Sequence, residues 1–587
     1  MRTARRSDGV GSLMAAGPAT AASSGAAGAL RAGTLGPRDP EHSGPRPAVT
    51  ALVLAGILLA ALGLRLWAID HGLPWAYNAD EELHFVPRAV EMFAGSLNPG
   101  YFENPPALTY LLHAVFRVRF LEGWPFGSSG VRRAFLEDPT AAYLTARVTV
   151  AVIGTLVVGL VFWVGRRFAG AGAGLVAAAL IAFAFLPAFY SKQALNDVVT
   201  LAPIAVALLA SLSVVDRGRW LDFALAGAAV GVATATKYTA GAMLAVVGLA
   251  ALARWRSDGT FSRTALGLLL AGVTFVVAFF VLNPFALLEL EQFLDEVQGQ
   301  GEQAGGFAKL GQEEVPGWLY YLWTLTWGFG VLPALAALAG GVLLLREDWR
   351  RGLLLVAFPV LLFLFLGAQA RFFGRWLLPA YPALAVLAGY AAARLADRLS
   401  ASGGRRALAL AGVGAVLVAQ GVFETVRSDV VLSRTDTRAQ AREWLSAQLP
   451  PGSRVVVEPF LPQGFFGVDG RVGPERFERF PVRRPFQGYT RRLSPGLLDT
   501  YRRGGYCWVV TGSHQRERGL KDGSPGARGY YGRLDRESRA VAGFSPYRPG
   551  AEPVPFNFDL SFNYLPGAYE RPGPAVAVRR LERCRPR

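Results

Sequence analysis

Lysine is nearly missing from this chain of 587 residues. Lys192, Lys237, Lys309 and Lys521 are the only four, so arginine carries almost all of the positive charge. That skew reads as genome composition more than as function. Cysteine is scarcer still: Cys507 and Cys584 can pair outside the cell, but two thiols give no disulfide framework. Charged residues make up 18% of the chain, below the roughly 25% of a soluble protein, while 52% is hydrophobic. An ordinary solution protein is thereby excluded as a description of the whole. A formal charge of +17 would suit nucleic acid if the arginines formed one face of a soluble domain. Many sit instead in short links between apolar runs, the pattern of membrane topology, and no nucleic-acid partner is expected.

The stretch 1–47 lacks apolar periodicity and is rich in Ala, Gly, Ser, Pro and Arg, which predicts a disordered cytoplasmic tail. It is too long and polar for a signal-peptide n-region. No small-residue cleavage site follows the first apolar run, so that run is expected to stay as an anchor.

Beyond the tail, apolar blocks dominate to about Phe423. A bilayer core about 30 Å thick needs roughly 20 apolar helical residues, and eleven stretches qualify as spans: 49–69, 141–165, 170–188, 197–215, 220–236, 239–253, 264–282, 317–345, 352–368, 376–394 and 407–426. Trp327-Gly328 marks a bend or the start of a surface segment in the longest, and the short pair around Lys237 reads as a tight helical hairpin. With the N-terminus in the cytoplasm, Arg166-Arg167, Arg217 and Arg219, Arg254 and Arg256, Arg346 with Arg350-Arg351, and Arg394 to Arg406 all fall inside. Asp80, Lys192, Lys237, Lys309 and Arg371 then fall outside, as does everything after the last span. The expected layout is a polytopic all-α membrane domain over 48–426 and an extracytoplasmic α/β domain over 427–587, in a multi-pass protein of the plasma membrane.

The first outer loop, about 70–140, predicts surface helices over 83–95 and after Pro105-Pro106. The link 283–316 holds an amphipathic stretch followed by Gly301, Gly305, Gly306 and Gly311, the composition of a mobile lid. In the outer domain, Asp436 or Thr437 starts a helix closed by Pro450-Pro451-Gly452. Ser453–Glu458 and Cys507–Thr511 read as strands. The segment 461–505 is too rich in Gly, Pro and Arg to assign. Arg479, Arg483-Arg484 and Arg491-Arg492 suit either anionic envelope polymers or an ordinary solvated surface.

Several constellations can carry chemistry. Asp80-Glu81 sits just past the first span; adjacent acids point in different directions, so one can face a cavity while the other binds backbone, an arginine or a metal. A solvated loop acid or helix cap is the plain alternative. His84 lies within helical reach of both, where it can bind a metal, donate to a phosphate oxygen, or simply pack. Pro105-Pro106 restricts the backbone and is expected to hold Asn104 and Tyr110 over a cavity, with an interfacial aromatic belt as the alternative. Lys192, Asp197 and Lys237 lie in short outer turns near hydrocarbon depth, which points to a charged ligand, a mutual salt bridge, or snorkelling. Arg371 and Arg375 are four apart; a helical start would put both forks on one face for a phosphate, or for lipid headgroups.

Four of these places together resemble the polytopic, lipid-carrier-dependent glycosyltransferases of GT-C fold, in particular the protein O-mannosyltransferase and aminoarabinose transferase group (families 39 and 83). They are Asp80-Glu81 with His84, Asn104-Pro105-Pro106 to Tyr110, Ser191 to Asp197 with Pro203, and Arg371 to Pro382. Lys237-Tyr238-Thr239 and Asn283-Pro284-Phe285 also fit, so the likeness spans roughly 49–460. It implies an inverting transfer of a sugar from a polyprenyl-phosphate donor to an envelope lipid, glycan or protein. By the same resemblance Asp80 is the base, Glu81 orients the acceptor or the motif itself, and Arg371 with Arg375 holds the carrier phosphate, helped by Lys237. No cofactor is required by that scheme, while the Asp-Glu-His cluster keeps a divalent metal as an alternative. No inserted β-trefoil is recognisable, so protein O-mannosylation is not the default activity. A transporter or flippase of an anionic or lipid-linked envelope precursor is the rival reading. It would be favoured by paired internal repeats, which are not seen. A non-catalytic scaffold would leave the acids and arginines without a joint task.

Overall fold

The computed structural model describes residues 47–120, 129–258, 260–309, 311–400, 402–449, 453–458, 461, 482–483 and 493–586. The expected tail and most of 461–492, including Arg479, Arg484, Arg491 and Arg492, lie outside the described residues.

Among the described residues, nine helices are long and apolar enough to cross a membrane. The chain is a polytopic, mostly α-helical membrane protein with a C-terminal part that contains a β-sheet. Two shorter apolar helices, Ala171–Phe183 and Trp220–Thr236, coincide with the two remaining expected stretches. Helices approach closely where side chains are small, since apolar surface alone gives them no reason to associate in lipid. Gly227 and Gly231, one turn apart on Trp220–Thr236, face the backbone of Phe261–Leu282; a Cβ at Gly227 would lie 2.0 Å from the Ala271 carbonyl oxygen.

The bend expected at Trp327-Gly328 is a π-turn, Thr326–Gly330, in the Gly317–Glu347 span. Its freed backbone groups are satisfied by Gln420 of the last span, which donates to the Thr326 carbonyl at 2.7 Å and accepts from the Val331 N–H at 2.9 Å.

The arginine-bearing links gather at one end of the bundle. Arg167 and Arg351 both pair with Asp216, at 2.9 and 3.4 Å, and Arg254 donates to the Asp216 carbonyl. Arg147 and Arg167 are twenty residues apart on one continuous helix, Thr140–Ala169, and so about 30 Å apart along its axis. Arg147 grips Glu81, which puts the acidic motif at the opposite end.

In the first loop the helix over 83–95 is broken into a π-turn, Glu81–Phe85, a short helix, Val86–Glu91, and a 3-10 turn, Met92–Ala94. Ala107–Phe120 follows Pro105-Pro106 as expected, and a further helix, Ser129–Glu137, was not foreseen. The Gly-rich link departs more: Leu290–Gly306 is one helix running through Gly299, Gly301 and Gly305. It is held from outside itself. Glu296 accepts from the Phe102 and Glu103 N–H groups, and the Ala304 carbonyl accepts from the Arg371 N–H at 2.9 Å.

The last span, Gly403–Leu432, leads into a helix, Thr437–Gln448, capped by Asp436, whose carboxylate accepts from the Arg438 N–H. Among the described residues five strands follow: β1 Val455–Val457, β2 Val482–Arg483, β3 Trp508–Gly512, β4 Ser538–Phe544 and β5 Val576–Leu581. Their order is β2-β1-β3-β5-β4, parallel across the first three and antiparallel beyond. Alternate side chains face opposite layers. Val455 and Val457 pack with Ala441 and Leu445, whereas Val456 packs with Leu498, Tyr501 and Tyr530. Cys507 and Cys584 form a disulfide between the start of β3 and the chain after β5.

The 31-residue connection from β4 to β5 leaves the sheet and docks on the helical body. Tyr320 donates to Asp559 at 2.7 Å, the Tyr190 and Tyr564 hydroxyls meet at 2.6 Å, and Arg427 donates to the Leu565 carbonyl. Residues 43–587 accordingly form one compact unit.

Candidate active site

Asp80 and Glu81 have opposite fates. Asn78 accepts from the N–H groups of both, which fixes the turn, and its amide donates to Gln193 at 2.8 Å. Glu81 then points inward and is wholly buried. Arg147 closes on it with two parallel hydrogen bonds, at 2.8 and 2.7 Å, and the Ala194 N–H adds a third at 2.9 Å. The remaining arm of Arg147 donates to the Ile69 and His71 carbonyls. Glu81 therefore ties the first loop to a span and to the 189–197 turn, and it is walled off from any substrate. Asp80, one residue earlier, keeps 37% of its side chain exposed and faces a cavity of about 340 Å³.

Across that cavity Arg375 donates to Asp80 at 2.5 Å. Its Nε lies 3.7 Å from Asp197, and Asp197 is paired with Lys237. Four groups of alternating sign thus run Asp80, Arg375, Asp197, Lys237, from four separate parts of the sequence. Arg375 reaches in because Phe373 is extended and Gly374–Ala380 is a 3-10 turn.

That local geometry corrects the expected pairing of Arg371 with Arg375. The helical spacing assumed for them does not exist, because residues 371–373 are not helical. Arg371 turns to the Leu290–Gly306 helix, where it donates to Gln303 at 3.3 Å and lies over the Phe307 ring. Lys192 is corrected too. It is fully buried, paired with Asp429 at 2.8 Å and donating to the Leu64 and Trp67 carbonyls, so it braces the first and last spans and does not meet the cavity. Arg65, also fully buried, lies beside it and donates to Ser191 and three backbone carbonyls.

His84 lines the cavity with Asp80. Its ring stacks on Tyr101, centroids 4.8 Å apart, and Asn104 donates to the Tyr101 hydroxyl at 2.7 Å. Burial holds the His84 imidazole below its ordinary value against the pull of Asp80, so the ring is neutral at pH 7. Asn104 thus acts at one remove, by fixing the ring on which His84 rests. The Tyr110 hydroxyl is buried without a hydrogen-bond partner among the described residues. No group of three or more His, Cys, Asp or Glu side chains among the described residues is arranged to hold a metal ion.

Sequence reasoning missed the far wall of the cavity, which the C-terminal part supplies. Arg438, His514, Arg518, Phe558, Asn563 and Tyr569 all line it. Arg438 is paired to Asp436 through two contacts of 2.8–2.9 Å and lies 3.4 Å over the Tyr77 ring. Burial, with Arg438 nearby, pushes His514 down to about 3, and the neutral ring bonds the Ser561 carbonyl at 2.8 Å. Arg147 was missed as well. An arginine inside the apolar run 141–165 was the available signal.

A family model described as dolichyl-phosphate-mannose-protein mannosyltransferase matches residues 141–283. No curated protein matches the chain. Among solved structures, ArnT from Cupriavidus metallidurans bound to undecaprenyl phosphate is similar with a TM-score of 0.51 at 16% identity, over 91% of this chain and 98% of that one. The apo oligosaccharyltransferase from Archaeoglobus fulgidus is similar with a TM-score of 0.51 at 12% identity, over 91% of this chain and 89% of that one. The fold of this chain is the GT-C glycosyltransferase fold.

Proposed function

We propose that the chain is an inverting glycosyltransferase that moves a hexosyl or pentosyl group from a polyprenyl-phosphate donor to a hydroxyl of an envelope lipid, glycan or protein. The reading places the arginine-rich end of the bundle in the cytoplasm and the cavity at the outer face of the plasma membrane. The observation that carries it is the half-exposed Asp80, held opposite Arg375 in a cavity where a second acid–base pair, Asp197 with Lys237, stands directly behind. The similarity to a structure bound to undecaprenyl phosphate supports the same class of donor.

In this mechanism the carrier phosphate takes Arg375 from Asp80, with Lys237 adding charge from behind. Exchange is feasible because the Asp80 contact is partly solvated and one anion replaces another on the same guanidinium. Asp80, released, accepts the proton of the acceptor hydroxyl as its oxygen bonds the anomeric carbon on the face away from the phosphate. The bond from that carbon to the phosphate oxygen breaks, and its electron pair leaves on the polyprenyl phosphate. Arg375 stabilises the growing phosphate charge, so rate enhancement rests on placement and charge stabilisation. Glu81 and Arg147 act only by holding Asp80 in position.

The test uses the full chain in lipid nanodiscs with a panel of radiolabelled polyprenyl-phosphate sugars and envelope extract. Transfer with inversion is expected, with Asp80→Asn nearly inactive. Transfer that survives Asp80→Asn removes the base, and failure to bind any polyprenyl-phosphate sugar removes the enzyme assignment.

A further inference from the structure

We propose that a groove at the arginine-rich end of the bundle seats one anionic phospholipid, its acyl chain between the helices Val331–Glu347, Tyr381–Leu399 and Gly403–Leu432 and its phosphate on Arg398. The site lies apart from the Asp80 cavity and does not depend on the glycosyl-transfer reading.

Shape is the first argument. Val331–Glu347 and Tyr381–Leu399 touch backbone to backbone at Gly340, where a Cβ would lie 1.9 Å from the Leu387 carbonyl oxygen. Each of the two lines the groove with a pair of alanines, Ala336 and Ala339 on one and Ala391 and Ala392 on the other, while Val413 and Leu417 of the last span close the third side. Small side chains on two walls leave a cavity of about 360 Å³. Leu335, at its far end, stands twelve residues before Glu347 on the same helix and so about 18 Å away along the axis. A bilayer core is about 30 Å thick, so the groove runs roughly from one headgroup level to the midplane. Spread over that depth, its volume makes a channel a few ångströms wide. Such a channel admits a single hydrocarbon chain and excludes a second helix, which is about 10 Å across. Leu335 and Leu395 on its rim are 58% and 45% exposed, and in a membrane protein faces of this kind meet hydrocarbon, so the groove opens onto lipid.

Charge is the second. Arg394 and Arg398 line the mouth, on the last two turns of Tyr381–Leu399. Arg394 is taken by Glu347 and by the Tyr390 hydroxyl, and Asp397 is taken by Arg406. Arg398 is exposed and makes no ion pair or hydrogen bond among the described residues. It lines the groove while staying exposed, the posture of an arginine whose stem covers apolar surface and whose fork reaches the headgroups. A guanidinium there matches phosphate oxygens in pairs. A zwitterionic headgroup carries an ammonium beside its phosphate that opposes Arg398, and an anionic headgroup does not.

Packing is the third. In the most apolar window of the last span 11% of residues are buried, against 83% for Gly374–Leu399 on the other side of the groove. The last span also leads directly into the Thr437–Gln448 helix of the C-terminal part. An acyl chain in this seam adds dispersion contacts where the protein supplies few, and so holds the last span against the body.

The experiment titrates the full chain, in detergent micelles, with phosphatidylglycerol or phosphatidylcholine and reads native mass spectra and thermal midpoints. Phosphatidylglycerol should be retained ~5–10-fold more strongly, the effect of one arginine at a membrane surface, and should raise the midpoint more than phosphatidylcholine does. Arg398→Gln should remove that preference. Ala339→Phe, at an exposed position, should fill the groove and cut retention of phosphatidylglycerol, with the midpoint of the lipid-free protein unchanged. In nanodiscs, phosphatidylglycerol with a diazirine on its acyl chain should label unaltered protein within 335–343, 391–398 and 413–417, a readout independent of how the variants fold. Equal retention of the two lipids, labelling spread evenly over the lipid-facing helices, displacement by undecaprenyl phosphate in preference to phosphatidylglycerol, or a dimer that Ala339→Phe dissociates would overturn the proposal.

Discussion

Asp80 and Glu81 are neighbours in sequence, and each meets an arginine, yet the two pairs do opposite work. Glu81 and Arg147 are 0% and 1% exposed and joined by a bidentate contact. Asp80 and Arg375 are 37% and 12% exposed and joined by a single arm. A buried pair is costly to break, because the surviving partner is left charged in a medium that cannot solvate it. A partly wet pair is cheap to exchange, because water or another anion can take over. The inner pair therefore serves as an anchor, and in the proposed mechanism the outer one is the contact that exchanges.

Breaking the inner pair should have the largest effect. Arg147→Ala or Glu81→Gln should destabilise the chain by about 3–5 kcal/mol, read as a lowered thermal midpoint in detergent with loss of both transfer and carrier binding. Normal stability in either variant would mean that the anchor is not needed. Asp80→Asn should leave the thermal midpoint nearly unchanged, slow transfer by ~10²–10⁴-fold, and tighten binding of undecaprenyl phosphate, since Arg375 loses its competing carboxylate. Weaker carrier binding in that variant would contradict the exchange. Arg375→Ala should weaken carrier binding by ~10–100-fold. Arg371→Ala should change it less, acting only through the Leu290–Gly306 helix, and equal losses in the two would restore the shared clamp.

A third acid sharpens the contrast, because it is buried without an arginine fork. Glu458 accepts a hydrogen bond from the Gly512 N–H, and burial pushes it up to about 7. A carboxyl whose folded value is raised holds its proton when the unfolded chain has lost it, so its stabilisation is complete below the unfolded value near 4.5 and fades as pH rises through 7. Between pH 6 and 8 the sheet should lose roughly 1 kcal/mol. Hydrogen exchange at the β1 and β3 amides should show that slope in the unaltered chain and a flatter one in Glu458→Gln.

Much of the helical architecture was legible because apolar length is a direct statement about lipid. All eleven expected stretches overlap helices, and the bend at Trp327-Gly328 is where the π-turn lies. The errors have physical sources. Arg371 and Arg375 were spaced as on a helix, but the chain there is extended and then 3-10. Gly301 and Gly305 suggested a loose lid, yet anchors outside the segment, Glu296 to the first loop and Ala304 to Arg371, hold it helical. Strands β4 and β5, with arginines among small and apolar residues, carry too weak an alternation to stand out alone. Lys192 was recognised as out of place near hydrocarbon, but its partner, Asp429, lies 237 residues later, and no local pattern announces such a pairing.

The excursion between β4 and β5 has a consequence for engineering and for descent. It leaves one strand of the sheet, touches the helical body through Asp559, Tyr564 and Leu565, contributes part of the cavity wall, and returns to an adjacent strand. Both ends are thus clamped by a single antiparallel ladder. It is a natural cassette: exchanged as one piece, it would replace its share of the cavity wall while Asp80, Arg375, Asp197 and Lys237, carried by the helical body, stayed in place.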